Sequence, residues 1–210
     1  MEIIVVDSDS PDNTRAIATK YADKVINLKD RGVGRARNAG AKMAEGEILL
    51  FLDADTLLGF DSMAEIYQAF TDPHVVCVSG TVAGLERLGI TDSLFAFVHY
   101  CFMNKVATLT AFFGFPLFPT VCCACRKSIF DRVGGFDEDL AVAEDLAFSR
   151  RMGRVGKCVV NKEAKAYTSV RRIKRFGLIG AYLMYFRNYL KVFILNHRPW
   201  VQDFPHVHEI

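Results

Sequence analysis

Two aspartates, Asp53 and Asp55, follow the apolar run ILLFL of residues 48–52. Residues two apart in an extended backbone point to the same side, so we expect both carboxylates to aim in one direction. Hard divalent cations prefer oxygen ligands, and Mg²⁺ is typically held by one or two carboxylates together with substrate phosphates. The pair therefore predicts a site for Mg²⁺ or Mn²⁺ beside a diphosphate. The alternative is a structural turn in which Asp55 caps the next element.

A second acidic set, Asp7, Asp9 and Asp12, follows the first apolar run, EIIVV at residues 2–6. Short runs rich in Ile and Val are typical of strands buried on both faces of a parallel sheet. Ligands of open α/β sheets bind outside the carboxyl ends of the strands. Both acidic sets are therefore expected to lie at a ligand site.

Three arginines, Arg31, Arg35 and Arg37, lie around the start of a helix predicted from Gly32 to Ala44. A helix N-terminus offers free N–H groups and the positive end of the helix dipole. The arginines either hold a phosphate there or pair with the nearby acids. The GxGxxG fingerprint of dinucleotide sites is absent, so the glycines do not by themselves indicate such a site.

Two adjacent acids, Glu144 and Asp145, open a further predicted helix shortly after the turn Gly134-Gly135-Phe136-Asp137. Acids at a helix start interact favourably with the dipole, which is one interpretation of the pair. The other is a carboxylate base for an acceptor hydroxyl. The spacing alone favours neither.

Four cations, Arg171, Arg172, Lys174 and Arg175, precede an aromatic segment at residues 176–195. They either neutralise a diphosphate, a lipid phosphate or an anionic membrane surface, or form a solvated charge run. The segment itself is amphipathic and suits a helix that lies in a membrane interface rather than one that crosses it. Packing on its own domain or on a second subunit, as in a homodimer, is the alternative.

Strands and helices alternate along the chain, which predicts an α/β fold with a mostly parallel sheet flanked by helices and an amphipathic C-terminal helix. The predicted strands are residues 2–7, 24–27, 48–53, 75–82 and 120–126, and the predicted helices are residues 12–21, 32–44, 61–70 and 128–133 and one from residue 144 onward.

The composition excludes several classes of protein. A chain of 210 residues with 51% apolar and 24% charged residues is neither disordered nor collagen-like nor a coiled coil. A net charge of +2 gives no global basic field for nucleic acid, although residues 1–150 are acidic on balance and residues 151–210 are basic. The opening MEIIVVD lacks the features of a signal peptide, which predicts a reduced, cytosolic compartment.

An uncharged stretch of 20 residues, 106–125, has the length of a membrane span. Gly114, Pro116 and Pro119 would break a helix in mid-bilayer, where freed backbone groups need other partners. We therefore expect an apolar helix or loop that ends near Phe115, followed by a buried strand.

Three of the six cysteines, Cys122, Cys123 and Cys125, lie in that predicted strand. Cys123 and Cys125 would share one face, opposite Cys122, and the paired C-x-x-C spacing of zinc sites is missing. We interpret them as small buried core residues.

Three stretches together resemble the inverting family-2 glycosyltransferases of GT-A fold. They are EIIVVDSDSPDNT, GVGRARNAGAKMAEGEILLFLDADT, and CRKSIFDRVGGFDEDL with AEDLAFSRRM, and they follow in the family's order from residue 2 to about residue 156. The tail YTSVRRIKRFG is similar to members that act at membranes.

The resemblance implies a nucleotide-diphosphate-sugar donor, Mg²⁺ or Mn²⁺, and single-displacement transfer to a lipid-linked or saccharide acceptor in cell-envelope polysaccharide or glycolipid synthesis. The resemblance implies that Asp7 contacts the nucleobase with Asp9 close by, that Asp53 contacts the ribose or the metal, and that Asp55 binds the metal. It places four arginines near the nucleotide sugar: Arg35, Arg37, Arg172 and Arg175. It also implies that Asp145, beside Glu144, is the catalytic base.

One departure from the family pattern concerns the start of the chain. Members usually have a further strand before the one at residues 2–7, so we expect a sheet edge or an open nucleotide pocket there. The predicted organisation is a GT-A-like domain at residues 1–170, with a nucleotide half at 1–85 and an acceptor half at 86–170, and a basic amphipathic segment at 171–210.

The predicted protein is cytoplasmic and peripheral at the inner face of the cell membrane. A non-catalytic sugar-nucleotide or membrane-binding module is the alternative function. A nucleotidyltransferase ranks third, because the DSDSPDNT segment has neither the glycine nor the cation that such a loop needs.

Overall fold

A computed structural model describes residues 1–85, 90–140 and 142–171 and the isolated positions 180, 183 and 187. The first part of the chain forms a small parallel sheet, with strand β1 at Ile4–Asp7, helix α1 at Thr14–Tyr21 and strand β2 at Lys24–Asn27. The register runs from Ile4 opposite Lys24 to Asp7 opposite Asn27, so the last residues of both strands lie side by side.

The remaining described elements follow in chain order: α2 at Val33–Met43, β3 at Ile48–Leu52, β4 at Thr56–Leu58, α3 at Ser62–Ala69, β5 at Val75–Gly84, α4 at Ile90–Phe112, β6 at Cys122–Arg126, α5 at Lys127–Arg132, α6 at Glu144–Gly153 and β7 at Lys157–Thr168. Strands β3 to β7 form a five-stranded sheet in the order β3-β6-β5-β7-β4.

The α/β fold with flanking helices is confirmed, but the five-stranded sheet corrects the expectation of mostly parallel pairing. Only β5 and β7 pair in parallel, whereas β3 with β6, β5 with β6, and β4 with β7 are antiparallel. In the pairing of β5 with β6, Cys77 lies opposite Cys125 and Ser79 opposite Cys123, so β6 begins beside the middle of β5 and runs back towards its start.

Strands β1 and β3 are both sheet edges among the described strands. Strand β1 belongs to the two-stranded sheet and β3 is an outer strand of the five-stranded one. The expectation of an open nucleotide pocket beside a sheet edge stays a prediction.

The large sheet carries an apolar cluster on each face. On one face, Phe51 packs with the rings of Phe130, Phe136 and Phe148, with ring centroids 5.0 to 6.4 Å from Phe51. Cys123 and Cys125 belong to this cluster, whereas Cys122 belongs to the cluster on the other face. The prediction of small buried cysteines on alternating faces of a strand is confirmed.

The uncharged stretch divides as its glycine and prolines predict. Helix α4 ends at Phe112, the backbone turns at Gly114 with a φ of 80°, and β6 begins at Cys122. Among the described residues, no helix combines the length and the hydropathy that a membrane crossing requires. The predicted C-terminal helix falls almost entirely outside the described residues.

Candidate functional site

A single guanidinium, that of Arg37, bridges Asp53 and Glu144, which lie far apart in the sequence. Its Nη2 donates to Asp53 Oδ1 and its Nη1 to Glu144 Oε1, each at 2.8 Å. The Arg37 side chain is only 13% exposed and lies over the Phe136 ring, 5.3 Å from its centroid. Burial opposes its charge, but the carboxylates of Asp53, Glu144 and Asp145 raise the pKa of Arg37 above its ordinary value.

Helix α2 can present Arg37 to these acids because it is tied to the glycine turn that follows α5. Asn38 Nδ2 donates to the Phe136 carbonyl at 2.9 Å, and the Phe136 N–H donates to Asn38 Oδ1 at 2.8 Å. Gly135 has a φ of 62°, and a Cβ at this position would lie 2.6 Å from Asn38 Oδ1. Only glycine allows this approach without strain.

Helix α6 begins with Glu144 and Asp145 in its first turn, after Ala143 in the left-handed region with a φ of 59°. A left-handed non-glycine residue is energetically costly, and such residues cluster at functional sites. Asp145 Oδ1 accepts a hydrogen bond from the Leu146 N–H at 2.8 Å. Burial, and then the neighbouring Glu144 charge, raise the pKa of Asp145 to about 7, while Arg37 acts in the opposite direction.

The other aspartate of the β3 tip, Asp55, is held by the end of β7. Arg171 Nη2 lies 3.1 Å from Asp55 Oδ2, and the Ser169 N–H donates to the Asp55 carbonyl at 3.2 Å. The Thr168 hydroxyl donates to Asp55 Oδ1 at 3.5 Å, the outer limit of a hydrogen bond. Asp53 and Asp55 thus each face an arginine, one from α2 and one from the start of the basic run.

The donor set of this tip is chemically suited to a hard divalent cation. The carboxylates of Asp53 and Asp55 are oxygen ligands of the kind Mg²⁺ and Mn²⁺ prefer. Within the described part of the chain, no cluster of three or more His, Cys, Asp or Glu side chains is placed to hold a metal ion. A cation here would take its further ligands from substrate phosphates or water, as is usual for Mg²⁺.

Asp7 and Asp9 lie at the end of β1. Asp7 is buried and accepts a hydrogen bond from the Ser10 N–H at 3.3 Å, which fixes the turn after the strand. Asp9 is exposed and has a φ of 59°. Their roles at a nucleobase stay predictions.

Arg35 is turned to a different set of acids from Arg37. It pairs with Asp30 and Glu138, each at 3.3 Å, on the exposed side of α2. The described contacts therefore bring Arg37 to Asp53 and Glu144, but they do not bring Arg35 there. Arg172 and Arg175 lie outside the described residues, so their predicted roles are untested.

Comparison with known proteins supplies the observation that decides the family. Residues 1–134 match the model of "Glycosyl transferase family 2". This chain belongs to glycosyl transferase family 2.

Relatives of this family 2 chain are larger proteins. It is 29% identical over 158 residues to the poly(ribitol-phosphate) beta-N-acetylglucosaminyltransferase TarS of Staphylococcus aureus, covering 71% of this chain and 26% of TarS. It is also 29% identical over 168 residues to the O-antigen chain rhamnosyltransferase WbaN of Salmonella anatum, covering 74% of this chain and 52% of WbaN. The chain thus spans between a quarter and about half of these relatives.

Solved structures agree with the fold. The structure of S. aureus TarS residues 1–349 with UDP-GlcNAc superposes with a TM-score of 0.63 at 26% identity and covers 96% of this chain and 60% of that one. The mannosyltransferase PcManGT of Pyrobaculum calidifontis, solved with GDP-Man and Mn²⁺, gives a TM-score of 0.62 at 23% identity and covers 89% and 55%. The GT-A fold is confirmed by these structures.

Sequence reasoning missed two residues that organise the site of this family 2 domain. Asn38 lies directly beside Arg37, but nothing in its spacing indicated that it would hold the glycine turn. Arg171 was seen only as one cation of a basic run, and its contact with Asp55 depends on the pairing of β4 with β7. Neither β4 nor β7 was predicted from the sequence.

Proposed function

We propose that this family 2 domain transfers a sugar from a nucleotide-diphosphate sugar to an acceptor hydroxyl by a single displacement with inversion. The observation that carries the proposal is Arg37, which gathers Asp53 and Glu144 around one buried charge beside Asp145. Asp53 and Glu144 lie about 90 residues apart in the sequence, and Arg37 brings them to one place. The GT-A fold and the UDP-GlcNAc complex of TarS support a nucleotide-sugar donor.

In this proposal the donor lies across the ends of β1 and β3. Asp7 and Asp9 would contact the nucleobase, Asp53 would contact the ribose or the metal, and Asp55 would hold the metal. A bound Mg²⁺ or Mn²⁺ would supply charge neutralisation for the departing nucleoside diphosphate, which is often a large catalytic contribution. Arg172 and Arg175 are proposed to add positive charge near the same phosphates.

Asp145 is the proposed general base. An acceptor O–H gives its proton to the Asp145 carboxylate while its oxygen forms a bond to the anomeric carbon. The bond from that carbon to the diphosphate oxygen breaks, and its electron pair leaves with the nucleoside diphosphate. A carboxyl whose pKa is about 7 is well suited to this task, because a base is most effective when its pKa lies near the working pH.

The acceptor is proposed to be a lipid-linked or saccharide chain. The names of TarS and WbaN refer to a poly(ribitol-phosphate) and an O-antigen chain, both of which are polymers. Residues 171–195 are proposed to bring the domain to the inner face of a membrane as a peripheral contact. Residues 1–85 are the proposed nucleotide half and residues 86–170 the acceptor half.

The direct test compares the wild-type chain with Asp145→Asn. Donor binding is measured by calorimetry across a panel of UDP-, GDP- and dTDP-sugars with Mn²⁺, and turnover is measured as nucleoside diphosphate released with an acceptor mixture. General-base catalysis contributes roughly 10²–10⁴ in rate, so the variant should bind the donor normally and turn over slower by about that factor. A wild-type chain that binds donors but neither transfers nor hydrolyses them would favour the non-catalytic module instead.

A further inference from the structure

Helix α4 packs on the sheet through one of its faces. Asn104 clamps the backbone of β5, because its Nδ2 donates to the Val82 carbonyl and its Oδ1 accepts from the Val82 N–H, both at 3.0 Å. Ala107, one turn further along, is buried in the core cluster, and Ala111 packs against that cluster. The spacing of three and then four residues between these positions is that of a helix face packed against its own domain. The inner face of α4 is therefore occupied.

The opposite face of α4 is also apolar, and it is exposed. Its residues recur at alternating spacings of four and three: Val98, Phe102, Lys105, Leu109 and Phe112. The four apolar side chains are each more than half exposed. This stripe, which we call the outer face, extends over about 21 Å of helix. Exposed apolar surfaces of this kind mark interaction sites.

A cluster of phenyl rings continues the outer face at the end of the helix. The Phe113 ring lies 5.4 Å from the Phe112 ring and 6.2 Å from the Phe115 ring, between centroids. All three remain more than half exposed, so they pack on one another rather than into the core. The turn at Gly114 is open, since a Cβ there would meet nothing within 4 Å.

The charge of the outer face distinguishes between a lipid surface and a second copy of this chain. Lys105 is the only Lys, Arg, Asp or Glu between Asp92 and Arg126, and it lies at the centre of the stripe. Two copies paired about a twofold axis through this stripe would bring two Lys105 ammonium groups together, without an acid on the stripe to pair them. On an anionic membrane the same ammonium can extend to the phosphates while its stem stays with the apolar side chains.

We propose that the outer face of α4, with Phe113 and Phe115 at its end, lies in the interface of an anionic lipid bilayer. Helices that bind in this way insert an apolar face about 5–10 Å deep and keep their cations at the headgroups. The proposal is argued from residues 98–115 alone and does not depend on sugar transfer. It would fix one side of the five-stranded sheet against the membrane through the Asn104 clamp.

The test is flotation of the full chain with phosphatidylcholine vesicles that either lack phosphatidylglycerol or contain about 30% of this anionic lipid. The variants are Phe112→Ser with Phe113→Ser, and Lys105→Glu. Phe60→Ser is the matched control, because Phe60 is a fully exposed phenylalanine on a different surface, between β4 and α3. Thermal unfolding checks that each variant folds, and size-exclusion chromatography with light scattering reports the oligomeric state.

The double serine variant should bind anionic vesicles weaker by about a hundredfold, from the loss of two buried phenyl groups. Lys105→Glu should weaken binding at least about fivefold on anionic vesicles and little on neutral ones. Vesicle binding that matches wild type in the folded double variant overturns the proposal. A change from dimer to monomer in that variant, with vesicle binding unchanged, assigns the face to a second copy and also overturns it. Calorimetry with nucleotide sugars tests the proposed function separately.

Discussion

The buried charge of Arg37 is the feature on which the candidate site depends at the scale of single residues. One guanidinium faces the carboxylates of Asp53 and Glu144 directly and is also influenced by Asp145. Without it, the acids would repel one another in a region with little water. The sequence predicted arginines near acids, but it could not show which of Arg35 and Arg37 points inward, because both lie on the same predicted helix two residues apart.

Replacing Arg37 with alanine should destabilise the protein strongly. Removing one partner of a buried ion pair typically costs about 3–5 kcal/mol, since an uncompensated charge stays behind. Arg35→Ala is the matched control: Arg35 is 39% exposed, and exposed pairs contribute at most about 1 kcal/mol. Urea unfolding measures both free energies. Equal, small losses in the two variants would mean that the Arg37 cluster does not organise the site.

The raised pKa of Asp145 gives the stability of the protein a defined pH dependence. Because the folded-state pKa is about 7 and the ordinary value is 3.8, the folded state binds the Asp145 proton more tightly than the unfolded state. This contribution to stability is present at low pH and is lost as the pH rises through about 7.

Asp145→Asn removes that dependence. The stability of the variant relative to wild type, measured as the difference in the free energy of unfolding, should therefore increase by roughly 1–3 kcal/mol between pH 5 and pH 8. Asp30→Asn, at a carboxylate that is 78% exposed, serves as the control with no such trend expected. Chemical unfolding at several pH values gives the comparison, and a difference that stays constant with pH would contradict a raised pKa of Asp145.

Arg171 is paired with Asp55 and would compete with a cation that binds there as proposed. The ion pair at 3.1 Å is partly exposed, so it is weak and can exchange. Arg171→Ala should tighten binding of Mn²⁺ alone by a factor of about two to five, as measured by electron paramagnetic resonance of free Mn²⁺. Arg154→Ala, on the C-terminal side of α6, controls for the general loss of a positive charge. Looser Mn²⁺ binding in Arg171→Ala would place the cation elsewhere.

At the scale of elements, the strands that contain an unbroken run of apolar residues were predicted correctly from the sequence. The strands at Ile48–Leu52 and Cys122–Arg126 were predicted to within two residues of their ends; the second is buried on both faces, and the first buries Leu49 and Phe51. Strand β7 was missed because its residues, KCVVNKEAKAYT, mix lysine and glutamate with small residues. It becomes a strand through pairing with β5 over nine registered positions, which is tertiary information.

The turn between α5 and α6 is the element whose geometry most directly places the acids. Gly135→Ala should destabilise the protein by about 1–3 kcal/mol, because the positive φ is strained for alanine and the added Cβ meets Asn38 Oδ1 at 2.6 Å. Gly114→Ala is the matched control, with a φ of 80° but open space around its Cβ. Thermal unfolding compares them. An equal effect would show that the contact with Asn38 adds nothing to the cost of the backbone conformation.

At the scale of the whole molecule, the domain presents two kinds of surface. Helices α2 and α6 and the ends of β3 and β7 carry the acids and arginines of the candidate site, and helix α4 presents apolar side chains away from the sheet. The family was predictable from three separated motifs, because each is carried by a local strand or helix. The antiparallel pairings were not predictable, since strand direction depends on the path of the long connections between strands, which is tertiary information.

The most direct test of the central claim measures donor binding at the β3 tip. Isothermal titration with a panel of UDP- and GDP-sugars is performed with and without Mn²⁺ on wild type, Asp55→Ala and the control Asp61→Ala, whose aspartate lies at the start of α3 away from the tip. We expect Mn²⁺ to tighten donor binding to wild type and to Asp61→Ala, and to have no effect on Asp55→Ala. The same Mn²⁺-dependent affinity in folded Asp55→Ala as in wild type would contradict the account.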